Sequence, residues 1–204
     1  DHPDPRKIHH HPTPRTGGAA IFAAFVIVAL SYREQTFSTQ AVGILWGVGV
    51  VFLVGFVDDV KGLSASYKLI GQVVAAGIAM GHGVQVNLLP IGELKWVGDT
   101  LITLVGLVGV MNAFNFLDGL DGLATSLAMI AALSLVLIAW VTHQTGIAYF
   151  GAALTGVTLG FLPYNVGGAK IFLGDSGSTV LGYMLAVRAI GGSWDDKSMM
   201  ESIS

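Results

Sequence analysis

The chain has 204 residues, of which 53% are hydrophobic and 11% charged, against about 25% charged in an ordinary soluble domain. That charge is too sparse to cover a water-facing surface, which excludes a soluble globule and leaves lipid as the cover. A formal net charge of −3 gives no footing for nucleic acid, and the lack of cysteine excludes a disulfide framework and thiolate chemistry.

The chain opens on a polar, turn-rich segment, Asp1-His2-Pro3-Asp4-Pro5-Arg6-Lys7, with no signal peptide. Crossing about 30 Å of hydrocarbon takes roughly 20 apolar residues, with about 17 tolerated. Seven apolar runs meet or approach that length: 18–32, 41–57, 67–81, 99–114, 123–141, 147–163 and 177–191. Many of the 28 glycines fall in them, which suits close helix packing in a bilayer. Between the third and fourth, the alternation around Pro90-Ile91-Gly92 predicts a short interfacial hairpin near 83–97, with Trp96 at headgroup depth. The expected fold is therefore an all-α integral membrane protein of about seven transmembrane helices. It is expected to form a single transmembrane domain over 1–204, and its start within a polar loop reads as truncated.

Seven spans fix which loops share a side. Residues 1–17, 58–66, 115–122 and 164–176 fall on one side, with 33–40, 82–98, 142–146 and 192–204 on the other. The first side collects Arg6, Lys7, Arg15, Lys61, Lys68 and Lys170, and the second Arg33, Lys95, Arg188 and Lys197. The bias of positive charge makes the first side cytoplasmic. That side also holds Asp58, Asp59, Asp118, Asp121 and Asp175, all at span ends or in tight loops.

Four stretches on that side can carry chemistry. The first, 5–18, joins Arg6, Lys7 and Arg15 to three histidines and a Pro/Gly turn. Consecutive side chains converge poorly on one ion, so anion contact is favoured over a histidine metal site. In the second, Asp58 and Asp59 end an apolar span. Carboxylates at a membrane are expensive and functional by default, although solvated helix-end acids would read the same. The third sets Asp118 and Asp121 three residues apart among glycines that admit a ligand to the backbone, with Asn112 and Asn115 one turn before them. A structural turn competes with this reading, and the remaining ligands of a calcium loop are missing. In the fourth, Asp175 lies between glycines, Ser176-Gly177-Ser178 offers helix N-terminal N–H groups as a phosphate seat, and Lys170 is a point cation for phosphate. Phe172 offers a stacking face for a base, or simple packing. Oxygen ligands without cysteine favour a hard cation, Mg²⁺ or Mn²⁺. Acids and cations together at a membrane rim point to metal-assisted phosphoryl transfer between a soluble phosphate ester and a lipid. A secondary transporter is the rival, and it needs its acids near the midplane of spans.

The motifs Asp-x-Pro-x-x-Arg-Lys-x-His-x-x-Pro-x-Pro-Arg-x-Gly-Gly at 1–18, Gly-x-x-Asp-Asp at 55–59, Asn-Ala-x-Asn-x-x-Asp-Gly-x-Asp-Gly-Leu at 112–123 and Asn-x-x-x-x-Lys-Ile-Phe-x-Gly-Asp-x-Gly-Ser at 165–178 occur in order. In these the chain resembles the polyprenyl-phosphate N-acetylhexosamine-1-phosphate transferases. Thr13-Pro14-Arg15-Thr16-Gly17-Gly18 is closer to the branch using UDP-N-acetylglucosamine than to the muramoyl-pentapeptide branch, which remains the alternative. The resemblance implies transfer of N-acetylglucosamine 1-phosphate from a UDP-sugar to undecaprenyl phosphate, with release of UMP, as the first membrane step of a cell-envelope polysaccharide. It implies Mg²⁺ on Asp175 with Asp59, Asp58 as base to the lipid phosphate, and Asn112, Asn115, Asp118 and Asp121 shaping the nucleotide site. It places Asn165 and Phe172 at uracil, Lys7 and His9 near the phosphates, and Lys170 among the substrate contacts. The expected partners are a UDP-N-acetylhexosamine, undecaprenyl phosphate and the bilayer, with a homodimer left open. The expected location is a bacterial plasma membrane with the site on its cytoplasmic face. Family members carry a further N-terminal span and C-terminal spans with a histidine-rich loop, so the chain is expected to be a fragment.

Overall fold

The computed structural model describes residues 13–31, 38–89, 92 and 94–191. They form seven helices: α1 Gly17–Ser31, α2 Thr39–Lys61, α3 Ala65–Gly81, α4 Lys95–Leu117, α5 Leu123–Val141, α6 Thr145–Asn165 and α7 Gly174–Gly191. Each covers one of the seven apolar runs, and the chain is an all-α integral membrane protein. By length and composition, α2, α4, α5 and α6 are long and apolar enough to cross a membrane. The 23 residues of α2 rise about 35 Å, more than the hydrocarbon core requires. Large apolar side chains such as Trp46, Leu53, Val105 and Leu137 point outward, as a lipid-facing surface needs.

The helices extend past the apolar runs where polar residues continue them. Helix α2 runs to Lys61, and the Gly62 N–H, at φ 68°, returns to the Asp58 carbonyl at 2.8 Å. This positive-φ stop turns the chain within 62–64 into α3. It leaves Asp58 and Asp59 in the last turn of α2. Helix α7 starts at Gly174, three residues ahead of the apolar run, so Asp175 to Ser178 form its first turn.

Helix α7 is the centre of the molecule. Every residue from Ser176 to Val187 is buried, and the helix packs on α1, α2, α4 and α5. Protein surrounds it, so it tolerates Ser176, Ser178, Thr179 and Tyr183 where a lipid-facing helix would not. Two glycines set its depth. A Cβ on Gly18 would lie 2.3 Å from the Gly177 nitrogen, and one on Gly55 would lie 2.5 Å from the Ser176 Cα. Both helices therefore approach the start of α7 at backbone contact.

Successive helices reverse direction, so alternate ends share a rim. At one rim the Gly17 and Gly18 N–H groups at the start of α1 donate to the Phe172 and Leu173 carbonyls, at 3.1 and 2.9 Å. There too Thr125 of α5 donates to Asn165 of α6 at 2.8 Å. At the opposite rim, the Gln40 amide donates to the Gly83 and Gly191 carbonyls.

The expected hairpin near 83–97 does not form: no strand occurs among the described residues, and 95–97 belong to the first turn of α4. Side chains of α4 take the backbone groups that a strand ladder would have used. Asp99 accepts from the Leu88 and Leu89 N–H groups, at 3.2 and 3.1 Å, and Thr103 accepts from Val86 N–H at 3.1 Å. Lys95 closes the segment with bonds to Asn87, the Leu89 carbonyl and Asp99. Pro90 and Ile91 lie outside the described residues.

Candidate active site

Adjacent residues on a helix point about 100° apart, and this separates the two acids that end α2. Asp58, 7% exposed, turns toward α3. Its carboxylate meets the Lys68 ammonium at 2.9 Å and accepts from the Leu63 N–H at 2.5 Å. Asp59 turns toward α7. One of its oxygens accepts from the Asp175 N–H at 2.8 Å. The other accepts from the Ser176 N–H at 3.0 Å and the Ser176 hydroxyl at 2.6 Å. Of the phosphate seat expected at Ser176-Gly177-Ser178, the Ser176 N–H is thus already taken. A carboxylate from α2 caps the first N–H groups of α7, where the helix dipole favours negative charge.

Asp175 projects from that capped turn. One carboxylate oxygen accepts from the Asn115 amide of α4, and the other faces the Lys68 ammonium at 3.4 Å. Asn115 also donates to the Ser178 hydroxyl at 3.1 Å. The Asp58 and Asp175 carboxyls lie within hydrogen-bond reach of each other. Lys68 therefore bridges two acids that are 117 residues apart in the chain, since 175 − 58 = 117. Asp118, just past α4, accepts from the Gly174 N–H. Acids from α2, α4 and α7 meet at one rim, at helix ends rather than at mid-span, which counts against the transporter reading.

Lys68 was not among the residues the motifs pointed to. It sits in the first turn of an apolar helix and reads there as an ordinary flanking cation. The signal was Gln72 four residues on, a second long polar side chain on the same face. Asn112, although exposed, joins this layer through its side chain. Its amide donates to Gln72 at 2.7 Å and to the Val108 carbonyl at 2.8 Å.

The remaining candidates shape a loop over the site. Asn165 is buried with both ends of its amide engaged, accepting from Thr125 and donating to the Ile171 carbonyl at 3.1 Å. Exposed Asp121 accepts from the Ala169 N–H at 3.0 Å. These two pin residues 166–173, with Gly167 and Gly168 at positive φ. Lys170 is exposed on this loop, while Phe172 is half-buried and donates its N–H to the Pro14 carbonyl at 2.9 Å. Lys7, His9 and the histidine run lie outside the described residues.

Asp118 shows the electrostatic cost of the cluster. Burial, then the negative charges of Asp175 and Asp59, push its carboxyl up to about 7, against the Gly174 N–H and Arg15. An unfolded aspartate titrates near 4. Between about pH 4 and 7 the folded protein thus holds a proton that the unfolded chain releases, so stability falls as pH rises through that window and levels off above it. Thermal midpoints measured in chelator from pH 4.5 to 8.5 should fall and then flatten, and Asp118→Asn should remove most of the slope. A wild-type curve rising over the same range would contradict this environment.

Among the described residues no three of histidine, cysteine, aspartate and glutamate form a ready metal cage. Mg²⁺ commonly takes only one or two carboxylates and completes its shell with substrate phosphates and water. Asp175 fits that habit, while both oxygens of Asp59, expected beside it as a ligand, are engaged by the first turn of α7.

A family model described as Glycosyl transferase family 4 matches residues 41–193. A decaprenyl-phosphate N-acetylglucosaminephosphotransferase of Mycobacterium tuberculosis (strain ATCC 25618 / H37Rv) is 38% identical over 208 residues, 91% of this chain and 51% of that protein. A probable undecaprenyl-phosphate N-acetylglucosaminyl 1-phosphate transferase of Bacillus subtilis (strain 168) is 32% identical, covering 100% of this chain and 58% of that protein. A phospho-N-acetylmuramoyl-pentapeptide-transferase of Halalkalibacterium halodurans is 37% identical, covering 87% of this chain and 60% of that protein. The chain spans about half the length of the first of these relatives. Bacterial kin and membrane-spanning helices together mark a bacterial membrane protein.

Proposed function

The chain belongs to glycosyl transferase family 4, and on that premise we propose that it transfers N-acetylglucosamine 1-phosphate from UDP-N-acetylglucosamine to a polyprenyl phosphate, releasing UMP. The observation that carries this reading is the convergence of Asp58 and Asp175 on Lys68, with Asn115 and Asp118 beside them, at one rim of a helical membrane protein. A water-soluble nucleotide sugar and a lipid phosphate can meet only where cytosol and bilayer meet. The rim with the acids is therefore assigned to the cytoplasmic face.

Both substrates are anions, and their mutual repulsion dominates the barrier. Mg²⁺ held by Asp175, when bound, would neutralise diphosphate charge and stabilise UMP as the leaving group. The rest falls to the chain. A phosphate monoester loses its second proton near pH 6, so the acceptor is mostly dianionic at neutral pH. Asp58, steadied by Lys68 and the Leu63 N–H, is placed to take any remaining proton. Asn115 orients Asp175, and Asp59 holds the first turn of α7 from which Asp175 projects. The 166–173 loop offers Lys170 to phosphate and Phe172 to the base, with Lys7 and His9 assigned to the donor phosphates.

The relative that carries a muramoyl-pentapeptide name keeps a second donor in view. UMP release by the full-length protein, supplied with undecaprenyl phosphate and either UDP-N-acetylglucosamine or UDP-N-acetylmuramoyl-pentapeptide, separates the two. Turnover of the first donor with the second inert is the expected result. The reverse pattern would move the chain to the pentapeptide branch.

A further inference from the structure

One turn below the charged cluster lies a pair of amides that the proposed chemistry does not use. Gln72 of α3 is 5% exposed. Its oxygen accepts from the Asn112 amide of α4 at 2.7 Å, and its own amide donates back to Asn112 at 3.4 Å. The second Asn112 contact, to the Val108 carbonyl within α4, holds that side chain in its rotamer. A primary amide buried between apolar helices is costly unless satisfied, and the exposed Asn112 on the neighbouring helix satisfies buried Gln72.

The pair is in register with the site above it. Lys68 and Gln72 are four residues apart on α3, and Asn112 and Asn115 are three apart on α4, so each helix presents both residues on one face. The upper members, Lys68 and Asn115, approach the same carboxylate, Asp175, from opposite helices. The lower members bond directly to each other. A rotation or slide of α3 against α4 that broke the lower pair would also carry Lys68 away from Asp175. No other side-chain hydrogen bond between α3 and α4 occurs among the described residues.

We propose that the Gln72–Asn112 pair is a positioning element, which sets the rotation of α3 so that the Lys68 ammonium reaches Asp58 and Asp175 together. Gln72 touches no reacting group and acts through Lys68. This deepens the transferase reading, on which its kinetic consequence rests, while the placement of Lys68 can be read without any substrate.

The test uses the full-length protein with Gln72→Met, which keeps length and helix propensity but removes the amide, and the exchange Gln72→Asn with Asn112→Gln. Two readouts are taken. One is the rate of Lys68 acetylation by an amine-reactive ester, followed by peptide mass spectrometry. The other is kcat and KM for UMP release. Gln72→Met should raise Lys68 acetylation severalfold and lower kcat about tenfold, since small misplacements of a charged group are costly. KM for the nucleotide sugar should stay within about twofold. The exchanged pair should recover both readouts at least in part. Unchanged acetylation in Gln72→Met overturns the proposal, whether or not activity falls, because a loss of activity alone would be a general packing effect. Should the wild type transfer no sugar phosphate, the functional reading fails, and the acetylation result still decides the positioning role.

Discussion

Asp175→Asn is expected to lower cation-dependent UMP release by about a thousandfold, the scale at which loss of a preorganised charge contact is felt in a water-poor site. The protein should remain inserted with its helix content unchanged. The substitution is isosteric, and the N–H that Asp59 caps belongs to the backbone, so the start of α7 keeps its anchor. What disappears is the charge that Lys68 and a hard cation both need. The asparagine amide would also face the Asn115 amide, which now donates to a carboxylate. Membrane fractionation and circular dichroism check the fold, and a Mg²⁺ titration of UMP release checks the site. Turnover within about twofold of wild type would remove Asp175 from the chemistry. The companion Asp58→Asn should lower kcat with nucleotide-sugar affinity retained.

Asp59→Ala is expected to cost stability first and activity as a consequence. Two backbone N–H groups and the Ser176 hydroxyl lose their acceptor at the buried start of α7. An unsatisfied buried donor costs about 1–3 kcal/mol, and a lost N-cap about 1 kcal/mol, so the thermal midpoint should drop by several degrees at least. Asp59→Asn keeps an acceptor oxygen and should retain much of that stability. The pair of variants separates capping from metal ligation. If Asp59 were a cation ligand in the first place, Asp59→Asn would keep the midpoint and lose the Mg²⁺ dependence. Midpoints and Mg²⁺ titrations of both variants decide between the two.

The seven helices were legible because each apolar run is long and bounded by polar or glycine-rich turns, and their parity was enough to gather Asp58, Asp118 and Asp175 on one side. The division of labour between Asp58 and Asp59 was not legible. Two identical neighbours carry no sign of which faces α3 and which faces α7; only the packing of α2 decides it. The hairpin misreading has a similar origin. Period-two alternation marks an extended segment, but Asp99 and Thr103 on the next helix, rather than a partner strand, satisfy its backbone. Lys68 escaped notice because a lone cation near a span end is ordinary. Its weight comes from two acids brought to it by other helices. Asn165 and Asp121 were found as polar motif residues, but their bonds brace a loop, a distinction that composition does not carry.

The capped turn of α7 bears on how the protein is made. Asp59 leaves the ribosome 116 residues ahead of the backbone group it holds, an interval on the order of ten seconds at ordinary elongation rates. Through that time the acids of α2 and α4 have no seventh helix to grip. Arrival of α7 is then the event that joins them, and no competent centre exists on a half-translated chain. On the proposed function, a nascent polypeptide stalled before residue 174 would lack Asp175 and with it the charge around which the centre is built.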